Sequence, residues 1–197
     1  WFNNTVLQYR GSTRAAGLMR IAFVLMLWRK LSAKLILTNV LQHPEYLVAA
    51  LIFWVASTLM FLGLYARTST LLTGVTCMTM YHWFGVFHGD QFWNHHHIYL
   101  LFACTIFVGF TDCGHSFSID RWLAVRAARR DEQPIPEEEG ELWGMRLIAF
   151  QISVCYLFGA LDKTHLGFGE RMEHYLMTYL FSSDYPPFWG FSICCAT

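Results

Sequence analysis

The twenty residues from Tyr46 to Tyr65, YLVAALIFWVASTLMFLGLY, carry no charged side chain. A helix of that length reaches about 30 Å, the hydrocarbon thickness of a bilayer. Pro44 and Glu45 bound the run on one side and Arg67 on the other. Similar apolar stretches recur at Ala15 to Leu27, Ser69 to Phe87, Phe92 to Phe110 and Leu142 to Leu161, with a further start at Phe188. The first is interrupted by Arg20 and closed by Trp28, Arg29 and Lys30. The expected fold is all-α: a polytopic integral membrane helical bundle with at least five spans plus a truncated sixth. A single domain over residues 1–197, belonging to a longer chain that extends past Trp1 and Thr197, is expected.

Composition agrees with lipid as the surrounding solvent. Apolar residues make up 55% of the 197 and charged ones 14%, against about a quarter charged in soluble domains, and mean hydropathy is +0.34. Fourteen basic against fourteen acidic residues leave no net charge, which excludes the basic footprint of a nucleic-acid binder. Six cysteines without CxxC spacing speak against a disulfide framework or zinc ribbon.

Between the fourth and fifth stretches lies a polar segment, Thr111 to Glu141. It reads as an amphipathic helix, IDRWLAVRAARR, followed by a loop, DEQPIPEEEGE. It is expected to lie as a connector on the membrane surface. Arg121, Arg126, Arg129 and Arg130 place it in the cytoplasm by the positive-inside rule. Alternation then puts the start of the fourth span and the end of the fifth on one face, the non-cytoplasmic one. His97 and Lys163 fall at similar depth there.

Ionisable residues at membrane depth need partners or a function. Arg20 is expected to pair with Asp112 or a helix end, and Arg146 and Asp112 to help position helices at the same boundary. Gln151 and His82 read as interhelical hydrogen-bonders. Lys163 reads either as an interfacial lysine or, where desolvation favours the neutral amine, as a base. Three consecutive histidines, His95, His96 and His97, point about 100° apart on a helix and cannot share one ion, so no metal site is expected. One imidazole facing inward as acid, base or donor is the simpler use.

These motifs resemble those of the vitamin K-dependent gamma-glutamyl carboxylase family, including proteins with its horizontally transferred transmembrane (HTTM) domain. The family pattern Trp-Asn-Asn-His-x-Tyr-Leu, then Asp-x-x-His-x-x-Ser-x-Asp, is met by Trp93, Asn94, His97, Tyr99 and Leu100, then Asp112, His115, Ser118 and Asp120. One extra residue precedes His97, so Asn94 or His96 stands for the family's second Asn. A second pattern, Gln-x-x-x-x-Tyr-Phe-x-Ala-Gly-x-x-Lys, is similar to Gln151, Tyr156 and Lys163, with Gly159-Ala160 in reversed order.

The resemblance implies Lys163 and His97 as the catalytic pair, with Asn94, His96, Tyr99 and Tyr156 in substrate binding. It implies that Lys163 deprotonates reduced vitamin K, a menaquinol or phylloquinol. Oxygenation by O2 then yields a strong base and finally the epoxide. That base removes the gamma proton of a glutamate in a peptide or protein, and CO2 is added with the help of His97. Besides this enzyme, the sequence admits a non-catalytic quinone- or lipid-binding module or anchor of a fused domain. Less well, it admits a proton-coupled transporter using Asp112, Arg146 and His82.

Overall fold

The computed structural model describes residues 10–33, 35, 45–90, 92–93 and 95–165. The elements run β1 (Arg10–Ser12), α1 (Arg14–Ala33), α2 (Glu45–Leu62), α3 (Ala66–Met80), α4 (His96–Gly109), α5 (Ile119–Arg130), β2 (Glu139–Glu141) and α6 (Trp143–His165). The chain is mostly helical. It divides into two units, Trp1–Ala149 and Phe150–Thr197, each described by itself. The expected sixth span from Phe188 lies outside the described residues.

The apolar runs become helices, with boundaries set by local chemistry. α2 stops at Leu62 because Gly63 and Tyr65 turn with positive φ, at 68° and 47°, and α3 starts at once in the opposite direction. α1 continues past the expected end at Leu27 to Ala33. Trp28, expected to close that run, instead donates from Nε1 to Ser57 Oγ of α2 at 2.9 Å. α3 continues as a wider π-helical stretch, Tyr81–Phe87.

Among the described residues, one helical segment is long and apolar enough to cross a membrane, Trp143–Leu161, while Leu47–Leu62 and His97–Gly109 are shorter apolar helices. α1 and α3 have the length of a span or nearly so, but arginine and lysine in α1 and the Ser/Thr content of α3 dilute their hydropathy.

α3 lies between α2 and α4 in the first unit and packs chiefly on these two. Its hydroxyls are satisfied within the helix: Thr70 donates to Ala66 O at 2.6 Å and Thr73 to Ser69 O at 2.8 Å. That frees the polar face of α3 to be buried. Gly74 makes the contact with α4 close, since a Cβ there would lie 2.6 Å from Ile106 Cγ1 and 3.0 Å from its backbone nitrogen. Small residues at such positions let helix backbones approach.

One buried cluster joins Leu27, Leu31, Phe53, Met80, Trp93 and Phe102; the other joins Ala16, Ala66, Cys104, Val108, Leu142 and Ile148. Outside, Val48, Leu51, Ile52 and Val55 form an exposed apolar stripe on α2 at the i, i+3, i+4, i+7 spacing of one helix face. Inside, Arg20, Ser57, Thr70 and Thr73 are buried.

A short antiparallel ladder pairs Arg10 with Glu141, Gly11 with Gly140 and Ser12 with Glu139. It ties the chain before α1 to the chain before α6. The amphipathic connector forms α5 over the residues expected.

Candidate functional site

Asp112, His115, Ser118 and Asp120 follow the end of α4, and each is engaged by backbone. Asp112 Oδ2 accepts from Glu141 N at 2.7 Å, and the Asp112 N–H donates to Glu141 O at 3.1 Å. His115 Nδ1 lies 3.1 Å from Glu139 O. These contacts fasten the loop to β2. Ser118 caps α5, its Oγ accepting from Arg121 N at 2.9 Å, the usual role of serine before a helix.

Asp120, in the first turn of α5, accepts from Tyr65 N at 3.0 Å and Ala66 N at 2.8 Å. It therefore caps α3 from another helix. The Asp120 N–H donates in turn to Gly63 O at 3.2 Å. A Cβ on Gly63 would lie 2.7 Å from an Arg20 nitrogen and 2.8 Å from Ser118 Cα, and φ there is +68°. Glycine is required by both conformation and space.

Arg20 enters this loop from α1, fully buried. It does not pair with Asp112. Its Nη1 donates to Cys113 O at 2.7 Å and its Nη2 to Phe117 O at 2.6 Å, while Asp112 is taken up by β2. The residues of the Asp-x-x-His-x-x-Ser-x-Asp pattern and Arg20 form one clasp holding α1, α3, α5 and β2 together. Thr13 and Ser116 add a buried hydroxyl pair at 2.8 Å; sequence alone gave no sign of it. Burial pushes the Cys113 thiol up from its ordinary pKa, against the opposing pull of Thr70 and Arg20, so it stays neutral. Arg146 lies half-buried in the first turn of α6.

The other end of α4 is about 20 Å away, at 1.5 Å per residue. His97 is exposed there, its ring stacked on His95 with centroids 5.2 Å apart. Tyr99 is 40% exposed and meets Tyr81 of the π-helical stretch at 5.5 Å between centroids. His82 is exposed and touches Tyr81 edge-on; among the described residues it does not form the interhelical hydrogen bond expected of it. Trp93 is buried against Phe84, Phe92 and Phe102, and among the described residues its Nε1 has no hydrogen-bond partner. His97, Tyr99, Tyr81 and Trp93 therefore gather at one end of the first unit. Asn94 and the His96 side chain lie outside the described residues. Among the described residues, no group of three or more His, Cys, Asp or Glu side chains is arranged to hold a metal ion.

The second unit carries the remaining residues of α6. Gln151 Nε2 donates along its own helix to Cys155 Sγ at 3.7 Å, where an interhelical bond was expected. Tyr156 is 78% exposed. Lys163 stands two turns further along the helix, and its side chain lies outside the described residues.

A helical domain with apolar helix exteriors, buried hydroxyls and an arginine held by backbone carbonyls is built as a membrane-associated domain is built. The profile of the HTTM domain family matches residues 16–189, and the chain belongs to that family. HTTM domains are associated with membrane proteins related to vitamin K-dependent carboxylases. No curated protein and no solved structure matches the chain.

Proposed function

We propose that this domain is a multi-pass, membrane-embedded, vitamin K quinol-dependent carboxylase and epoxidase-like enzyme, with Lys163 as base and His97 as its partner. HTTM membership over residues 16–189 carries this reading, together with His97 and Lys163 at the motif positions. The exposed stripe of α2 above buried Arg20, Ser57, Thr70 and Thr73 supports helices that face lipid. The arginines of α5 support a cytoplasmic position for the clasp. His97 and Lys163 then belong to the opposite, non-cytoplasmic side.

The residues at the His97 end suit an aromatic quinol. Tyr81 and Tyr99 offer rings for stacking, and Trp93 Nε1 is a buried donor without an acceptor among the described residues, which an oxygen-bearing ring would satisfy. When bound, the reduced vitamin would supply the electrons that reduce O2 and, through that oxygenation, the basicity needed to remove the glutamate γ proton before CO2 is added. Lys163 takes a proton, which it can do only as the neutral amine that a water-poor site favours. His97, with two ring nitrogens that donate or accept, assists carboxylation. Asn94, His96 and Tyr156 complete the substrate contacts, and a glutamate-containing peptide or protein is the acceptor.

The test is epoxide formation from vitamin K hydroquinone in membranes containing the full-length protein or its Lys163→Met variant. Epoxide that requires Lys163 supports the enzyme. Binding of the quinol without epoxide in either protein overturns it in favour of a non-catalytic quinone-binding module.

A further inference from the structure

α5 presents two unlike faces. Arg121, Val125 and Ala128 are its less exposed positions, and Arg121 approaches Glu138 at 4.0 Å. Glu138 is also held by Arg14 at 2.5 Å. The acidic loop beside the helix is thus engaged on that side. Trp122, Arg126 and Arg129, spaced by four and three residues, form an exposed stripe. Trp122 is 57% exposed and neighbouring Leu123 47%, and the Arg126 guanidinium lies 5.3 Å from the Trp122 ring centroid.

The charges around this stripe are unequal. Arg130 is paired with Asp131 at 2.9 Å, and Asp120 is used as the cap of α3. Glu132 and Glu137 are exposed in the following loop. Among the described residues, Arg126 and Arg129 have no acidic partner. At the foot of the helix, Phe117 is 54% exposed and is held at φ 52° by the Arg20 bond to its carbonyl. An aromatic side chain is thus fixed outward in a backbone conformation that non-glycine residues seldom adopt.

We infer that the Trp122, Arg126 and Arg129 face of α5 is a binding surface for the phosphate headgroups of anionic phospholipids in the bilayer that holds the domain. Guanidinium groups match phosphate oxygens in geometry and charge. Tryptophan favours the headgroup level, where its ring meets acyl chains and its N–H meets water. Cationic helices with an aromatic component lie in this plane. The inference rests on the membrane reading and goes beyond it: the connector recognises lipid charge.

The experiment uses the full-length protein in nanodiscs of phosphatidylcholine alone or with about a third phosphatidylglycerol. Hydrogen exchange is followed over the α5 peptide. Each arginine near an anionic surface is worth about 1 kcal/mol, a factor of about five. Exchange of α5 should therefore slow roughly tenfold or more in the anionic discs, and the difference should vanish in Arg126→Gln/Arg129→Gln and persist in Arg126→Lys/Arg129→Lys. Both residues are exposed, so unchanged exchange in α3 and α4 shows that the variants remain folded. Equal α5 rates in both discs overturn this inference alone. Failure to enter discs of either composition overturns the membrane reading and this inference with it.

Discussion

Asp120 offers the sharpest test of the clasp, because one carboxylate serves two helices. Replacing it with alanine removes both acceptors at the start of α3, the bonds at 3.0 and 2.8 Å. It also removes a negative charge from the first turn of α5 and an electrostatic partner of Arg20. Loss of a cap costs about 1–2 kcal/mol, and loss of the charge near a helix N-terminus about 0.5 kcal/mol. The sum is about 2 kcal/mol. At roughly 2–4 °C per kcal/mol for a chain of this size, Tm should fall by about 4–8 °C. Asp120→Asn keeps one acceptor oxygen and should lose about half as much. The assay is thermal unfolding followed by circular dichroism in one detergent for all three proteins. An Asp120→Ala protein that melts with the wild type would refute the shared cap.

Other outcomes follow from the same structure. Gly63→Ala must place a Cβ against Ser118 and Arg20 at φ +68°; a loss of about 3 kcal/mol or more is expected, measured as Tm or as yield of folded protein. Gly74→Val should push α3 from α4 at Ile106 and lower stability by about 1–3 kcal/mol, read by thermal melting. The Glu138 carboxyl is held below its ordinary pKa by its hydrogen bond from Arg14. Its contribution is therefore present above the unfolded value of about 4.3 and lost as pH falls through the lower folded one. Glu138→Gln should flatten the acid limb of a Tm-against-pH curve slightly, and an unchanged limb would show the pair to be inert. For the reaction, His97→Ala should reduce carboxylation while epoxide formation is partly retained, and equal losses of both would count against separate roles.

Much of the fold was legible because apolar runs are long-range statements about solvent. α5 was visible because an amphipathic stretch is a local signal, whereas the turn that ends α2 at Leu62 was hidden, since Gly63 and Tyr65 lie within the uncharged run expected to span the membrane. The partner of Arg20 was not visible. A buried arginine suggests a carboxylate, and Asp112 was the nearest one in the pattern, yet the acceptors are carbonyls of Cys113 and Phe117, which no side chain announces. The β1–β2 ladder was hidden likewise, since Arg-Gly-Ser and Glu-Gly-Glu have no strand pattern and only tertiary packing pairs them. The motif residues themselves were found by resemblance. That Asp112, His115, Ser118 and Asp120 hold backbone together emerged only from geometry.

Because Arg20 grips two main-chain oxygens, the loop after α4 is recognised by its path. Residues 113 and 117 can change identity and still offer the same carbonyls. A single inserted or deleted residue between them would rotate one carbonyl away and leave a buried guanidinium half satisfied. Substitution at 113 and 117 should therefore be tolerated by this grip more readily than any change in the number of residues between them.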